Sequence, residues 1–329
     1  MVLVAAIALG SSTYAWFVNN ANVTAARVNV TASTAYSLLI SHDNSTWGTT
    51  TQDLNNNLAS LLPASTLGTL ASAEVASDIN STNKNGVGDL LFVTDKTWEG
   101  NYVTAFNTVA KADKVTVTEP NGTTTTDAQY FYTDKVYMKS AQDGKIYLDA
   151  TNTGIGADVD SDGVYTYSAA FSSLSVNQKA LLETLRVGLV VKHNSGDPEV
   201  FVYQITDETG TANVITTTGN GGADGISKTA GVTADGVTKK TDVPSFANLD
   251  SSDNVPVISD CMATGSSSAL ATGTSGKDII ATVDANEVIT VEIYVWMEGC
   301  DEQTVAGNIA DFAGAQIQNM MFGFCLGAV

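Results

Sequence analysis

The residues best suited to chemistry in this chain are the carboxylates of Asp158-Val159-Asp160-Ser161-Asp162-Gly163. Asp158, Asp160 and Asp162 alternate and end at a glycine, the spacing with which the first half of a calcium loop wraps oxygen ligands around a hard cation. Ala169 stands where an EF-hand carries its bidentate glutamate. Two readings therefore stay open, a calcium site and a plain acidic turn that needs no metal. The two histidines, His42 in Ser41-His42-Asp43-Asn44 and His193 at the end of a strand pattern, read as structural. No H-E-x-x-H helix, P-loop or G-x-S-x-G elbow occurs, and the glycine-rich run 219–225 lacks dinucleotide spacing. No catalytic residue is expected, and calcium is the one cofactor the residues suggest. Trp47, Trp98, Tyr130 and Tyr132 could stack on sugars, but they sit in β-patterned runs, where aromatics more often pack into cores or strand faces.

Cys261, Cys300 and Cys325 are too few for a disulfide scaffold and form no C-x-x-C pair. A Cys261–Cys300 disulfide beside one buried thiol fits an oxidising compartment. Three inert thiols fit equally, and pairing between chains through the odd cysteine is a third option.

Charge narrows the partners. The 329 residues carry 35 acidic against 15 basic side chains, a net charge of −20, yet charged residues make up only 15%. Such a surface repels phosphate backbones, so nucleic acid is excluded as an expected partner. Thr, Ser, Asn, Gly and Ala fill the surface instead, a mixture suited to exported β-proteins.

The elements that must position these groups read as strands. Alternation with the period of a half-buried strand runs through Val136 and Met138, then Ile146 and Leu148 after Asp143-Gly144, which predicts a hairpin with its loop at 141–144. It recurs through Leu185, Val187, Leu189 and Val191, which end at Asn194-Ser195-Gly196, and through Phe201, Tyr203 and Ile205. The longest run is Ile289, Val291, Ile293, Val295 and Met297; Met320, Phe322 and Phe324 close the chain. Short helices are predicted at Leu54, Leu58, Leu61 and Leu62 before Pro63, after a Ser175/Gln178 capping box through Leu182, and over 303–312. The expected fold is mainly β, an antiparallel jelly roll or β-sandwich over 18–329. Gly/Thr/Ser-rich loops or a lobe are expected to be inserted at about 43–100 and 206–276.

Residues 1–17 form an apolar signal or assembly segment. The run Met1 to Leu9, the break Gly10-Ser11-Ser12 and small residues at Thr13 and Ala15 place an export cleavage between Ala15 and Trp16. The run is too short for an ordinary span of roughly 20 apolar residues. No Lys or Arg precedes Arg27, so a second reading keeps the head on the mature chain, packed against others in a polymer. The strand behind it, 22–32, carries Asn22, Val23, Val28 and Val30. It is either the first strand of its own sheet or a strand given to a neighbour's open edge.

The run Gly10-Ser11-Ser12-Thr13-Tyr14-Ala15-Trp16-Phe17, followed by Asn19-Asn20 and a strand, resembles the amino terminus of TasA- and camelysin-like secreted surface proteins of Gram-positive bacteria. The patches Ile40 to Gly48, Val136 to Ser140 and Val295 to Gly299 are similar to clostridial relatives of that group. The resemblance implies a jelly-roll domain and fibres built by strand donation. It also carries a metallopeptidase label that the absence of a zinc motif does not support.

These observations point to a non-enzymatic structural subunit of an extracellular filament, pilus-like or of a biofilm matrix. Its partner is other copies of itself at the cell surface, and a membrane is met only during export or assembly. One alternative is a pilin-like subunit whose amino-terminal helix stays in the filament core. Another is a monomeric surface adhesin or carbohydrate-binding module, with calcium at Asp158, Asp160 and Asp162.

Overall fold

The computed structural model describes residues 25–32, 38–54, 61–69, 90–99, 102–109, 115–118, 124–149, 153–156, 182, 184–196, 198–204, 262–263, 279–298 and 317–327. Strands dominate them. In chain order these are β1 (Ala25–Ala32), β2 (Leu38–Ser41), β3 (Thr50–Leu54), β4 (Pro63–Thr69), β5 (Leu90–Glu99), β6 (Tyr102–Val109), β7 (Val115–Thr118), β8 (Thr124–Ala128) and β9 (Phe131–Ser140). They continue with β10 (Gly144–Asp149), β11 (Gly154–Gly156), β12 (Leu185–Lys192), β13 (Glu199–Gln204), β14 (Met262–Ala263), β15 (Ile279–Val283), β16 (Val288–Glu298) and β17 (Ile317–Gly327). Among the described residues helix is confined to Leu182 and Thr184, just before β12, and no helix is long and apolar enough to cross a membrane.

Pairing is mostly antiparallel and makes two large sheets. In one, β17 lies between β1 on one side and β10 with β11 on the other, β3 flanks β1, and β15 and β14 flank β10. In the other, β16 runs between β12 and β9, β13 and β2 lie outside them, and β4–β5–β6 leave from the end of β16. A small β7–β8 pair stands apart. Both large sheets bury side chains in one apolar cluster. Ile289, Val291, Ile293, Val295 and Met297 reach it from β16, and Met320, Phe322, Phe324 and Leu326 from β17. β-Branched and aromatic residues fit a pleated, buried face, and full burial of each such side chain contributes about 1.5–3 kcal/mol.

The predicted hairpin around Asp143-Gly144 is corrected. β9 and β10 do not pair with each other; the chain turns there from one sheet into the other. The 284–287 turn between β15 and β16 makes the same crossing beside it. Lys139 faces Val288 before the corner and Gly144 faces Val283 after it, so one antiparallel ribbon bends across both sheets with its register intact up to a shift at Ile146/Tyr147. The corner is stitched by backbone donors: Asn286 N–H to Ser140 O (2.6 Å) and Ala285 N–H to an Asp143 carboxylate oxygen (2.8 Å). Asn286 takes a left-handed φ of 65°, which asparagine tolerates better than most residues. The sharp bend presses Gly144 onto β17, where a Cβ would stand 2.6 Å from Leu326 Cδ1 and 2.9 Å from the Gly327 carbonyl oxygen.

The helix expected over Leu54 to Leu62 is corrected at both ends. Leu54 closes β3, and Leu61 bridges to Gln129 at the entry to β4. Within the stretch 43–100, β5 lies against the outer face of the β9–β16–β12 sheet. Phe92 of β5 stacks on Phe131 at 4.0 Å and meets Trp296 edge-on at 5.3 Å. This second cluster buries Tyr294, Trp296, Arg186 and Glu298 on the side opposite the main core. Trp296 Nε1–H donates to Glu298 Oε2 at 2.9 Å.

Candidate assembly site

β1 holds an interior position although it is the first strand described. It runs parallel to β17 from Ala25↔Ile317 to Ala32↔Phe324, and antiparallel to β3 through Val28↔Leu54 and Thr31↔Thr50. Val28, Val30 and Ala32 are level with Met320, Phe322 and Phe324, the residues that β17 sends into the core. Parallel neighbours cannot be joined by a tight turn, and here the two strands come from opposite ends of the described chain. β1 continues into β2 of the other sheet through residues 33–37. Without β1, β17 and β3 would each expose a row of unpaired N–H and C=O groups, which folded proteins rarely leave unsatisfied.

On the far side of β17, Thr153 fills the step between β10 and β11. Its Oγ1 donates to Gly323 O at 3.2 Å and accepts from Gly323 N–H at 2.9 Å. A side chain thus replaces one rung of the ladder. Cys325 lies two residues further along, fully buried with a free thiol, in a small cluster with Tyr147 and Ala263. Burial, with the Asp149 charge nearby, pushes that thiol up to about 12.

The loop from Ser41 to Gly48 closes on itself through two backbone bonds between Ile40 and Gly48, at 2.7 and 3.0 Å. Asp43 organises it, accepting from Ser41 Oγ, from the N–H groups of Ser45 and Thr46, and from Thr46 Oγ1. These donors, the Thr46 N–H foremost, hold its carboxyl well below the usual range. One end of the loop lays His42 Nε2 3.1 Å from Asp134 Oδ1. Asp134 projects from the same face of β9 as Tyr132, Val136 and Met138 and is itself buried. Burial, and then the Asp134 charge, raises the Tyr132 hydroxyl above its ordinary value. The other end of the loop lays Trp47 under Lys139, whose Nζ is 3.9 Å from a ring centroid of the indole.

No family model, curated protein or solved structure matches this chain. The assignment of a site therefore rests on its own geometry.

Of the residues singled out in the sequence, Val28 and Val30 lie in β1. Ala15, Trp16, Asn22, Val23, Asp158, Asp160, Asp162, Cys261 and Cys300 lie outside the described residues. Among the described residues no three carboxylate, histidine or cysteine side chains gather as a metal site. Both histidines have acidic partners, His42 on Asp134 and His193 Nδ1 on Glu287 Oε1 at 2.8 Å. Tyr132 belongs to the core, and Trp47 is half-buried beneath an ammonium. The sequence reading missed the carboxylate partners. Asp134 was visible as one acid in the apolar row of β9, but its histidine is 92 positions away.

Proposed function

We propose that this chain is a non-enzymatic structural subunit of an extracellular filament, and that copies join by exchanging β1. The placement of β1 between β17 and β3 carries this reading. A strand that completes the sheet from its middle and leads on to β2 of the other sheet can be supplied by a neighbour with the same hydrogen bonds and register. Exchange of an identical element between protomers is a low-cost route to assembly. The bent ribbon of β9–β10 and β15–β16, laid across two sheets, supports a jelly-roll architecture for the domain that accepts the strand. The partner is then a second copy, at the cell surface.

The test uses the register Arg27↔Asn319. Arg27→Cys together with Asn319→Cys, oxidised after assembly, should give a covalent ladder on a non-reducing gel. Filaments in which this disulfide stays within single chains would sink strand exchange.

A further inference from the structure

Among the described residues, Phe92 and its neighbours cover one end of the outer face of the β9–β16–β12 sheet. At the other end β9 presents Lys135, Tyr137 and Lys139, alternating with the core-facing Asp134, Val136 and Met138. Across the rungs, Lys135 is paired with Glu292, Tyr137 with Thr290, and Thr290 in turn with Lys192. Strand spacing puts Lys135 and Lys139 roughly 13 Å apart and Lys192 roughly 10 Å to the side. Three of the chain's 15 basic residues thus share one strip with two carboxylates among the described residues, Glu292 and the Asp43 bonded to Ser41 beside Tyr137, on a molecule of net charge −20.

The aromatic rings of this strip face ammonium groups. Lys139 Nζ lies 3.9 Å from the Trp47 ring and Lys135 Nζ 5.5 Å from that of Tyr137. A cation over an aromatic face is held there by the ring quadrupole, so these rings position charge and are poorly placed to stack on a sugar. The ion pair on the strip is Lys192 Nζ to Glu292 Oε1 at 2.9 Å, with the Tyr294 hydroxyl donating to Glu292 Oε2 at 2.9 Å. Glu292 is thereby occupied from two sides, and the strip keeps a positive excess.

We infer that the Lys135–Lys139–Lys192 strip is a lateral contact that receives the acidic surface of a second copy of this chain. The choice of occupant rests on the filament reading, which brings copies together at high local concentration. Their 35 acidic side chains then supply the complementary charge. Opposite potentials across a contact fix register and suppress wrong partners more than they add affinity. The strip would therefore set how copies lie side by side, while β1 would set the join.

Equal amounts of unlabelled and nitrogen-15-labelled protein, assembled together and treated with a carbodiimide, give the test. Peptides joining Lys135, Lys139 or Lys192 of one isotopic form to an aspartate or glutamate of the other are expected. Because substituting these lysines removes the reactive amines themselves, the variants are read by lateral association in sedimentation, which the triple variant Lys135→Glu/Lys139→Glu/Lys192→Glu should weaken by about tenfold, equivalent to about 1.4 kcal/mol. A Lys→Gln triple variant, which keeps side-chain length over Trp47, should weaken it less, and Lys145→Glu should leave it unchanged. Mixed-label links no more frequent at the strip than at Lys145 overturn the inference. So does binding of polygalacturonate that the triple variant loses, since that assigns the strip to a glycan. Electron microscopy of the same samples separates the two proposals. Filaments without strip links sink this one alone, and strip links without filaments sink strand exchange alone.

Discussion

Phe92→Ala probes how the β4–β6 extension is held. Phe92 is fully buried, stacked on Phe131 and edge-on to Trp296. Truncating such a side chain costs about 3–5 kcal/mol in lost transfer energy and cavity, the aromatic pairs accounting for about 0.5–1.5 kcal/mol each. Among the described residues, the backbone ties between the extension and the sheet are the two rungs Met297↔Pro63 and Glu298↔Ala64, the Leu61–Gln129 bridge and the Leu62 N–H donated to Gln129 O at 2.7 Å. At a net of about 1 kcal/mol per backbone hydrogen bond, they cannot offset the loss. Arg186 and Glu298 on the same face of the sheet are buried charged groups, so water reaching them favours the opened form further.

The expected result is local opening without global unfolding. Amide exchange in 63–69 and 90–109 should speed up by about a thousandfold, the equivalent of about 4 kcal/mol. Amides of β12 and of the middle of β16 should keep their protection. Trp296 fluorescence should shift red as its cover leaves. Phe92→Leu should retain most of the protection, because it refills much of the volume. Equal deprotection of 185–192 and 288–298 would refute the reasoning, as would unchanged exchange in 90–109.

Three further outcomes follow from particular contacts. Gly144→Ala should destabilise by about 1–3 kcal/mol, seen as a lower thermal midpoint. Adding Leu326→Ala should relieve only part of the clash, because the Gly327 carbonyl oxygen stays 2.9 Å from the new methyl; a double-mutant cycle measures that coupling. Cys325, buried and pushed up to about 12, should resist iodoacetamide at pH 8 in the native protein and react once it is unfolded, as read by mass spectrometry. Burial alone would raise Glu287, but hydrogen bonds from His193 and the Asp284 N–H, with the His193 charge, outweigh it and hold the carboxyl below 4.5. A depressed acid contributes stability above its unfolded value and loses it as pH falls through the folded one. His193→Ala should therefore cost about 1 kcal/mol at neutral pH, with the difference from the parent shrinking below pH 4.5 in acid titrations followed by circular dichroism.

Alternation made the strands legible and left their partners dark. Ile289 to Met297, Leu185 to Val191 and Met320 to Phe324 read as core-facing rows, and they are. The period of two also assigns Lys135, Tyr137 and Lys139 to the face opposite Val136 and Met138, so the basic strip was half visible. What it could not show is that Glu292 and Lys192, some 60 to 160 positions away, complete it, because pairing is a non-local property. Asp143-Gly144 carries a turn signature whether the next strand returns to the same sheet or climbs into the other. The leucines from Leu54 to Leu62 fit a helical face by spacing, yet Pro63 opens a strand, and tertiary pairing overrode the local pattern.

The ribbon and the first strand have opposite roles in this architecture. β9–β10 and β15–β16 pass from one sheet into the other in one register up to a shift at Ile146/Tyr147, so the sheets cannot part without breaking the ribbon. β1 can leave while every pairing of that ribbon, of β12 and of β13 stays in place. In strand exchange the bonds lost within one chain are remade between chains, and the balance turns on concentration more than on contact energy. Covalent linkage to the same chain would give its own β1 an effective concentration in the millimolar range, on the order of that for linked modules. In dilute solution the chain's own strand therefore wins. The proposed exchange would gain ground where copies are crowded, and a lateral contact at the lysine strip would supply that crowding before the strands change hands.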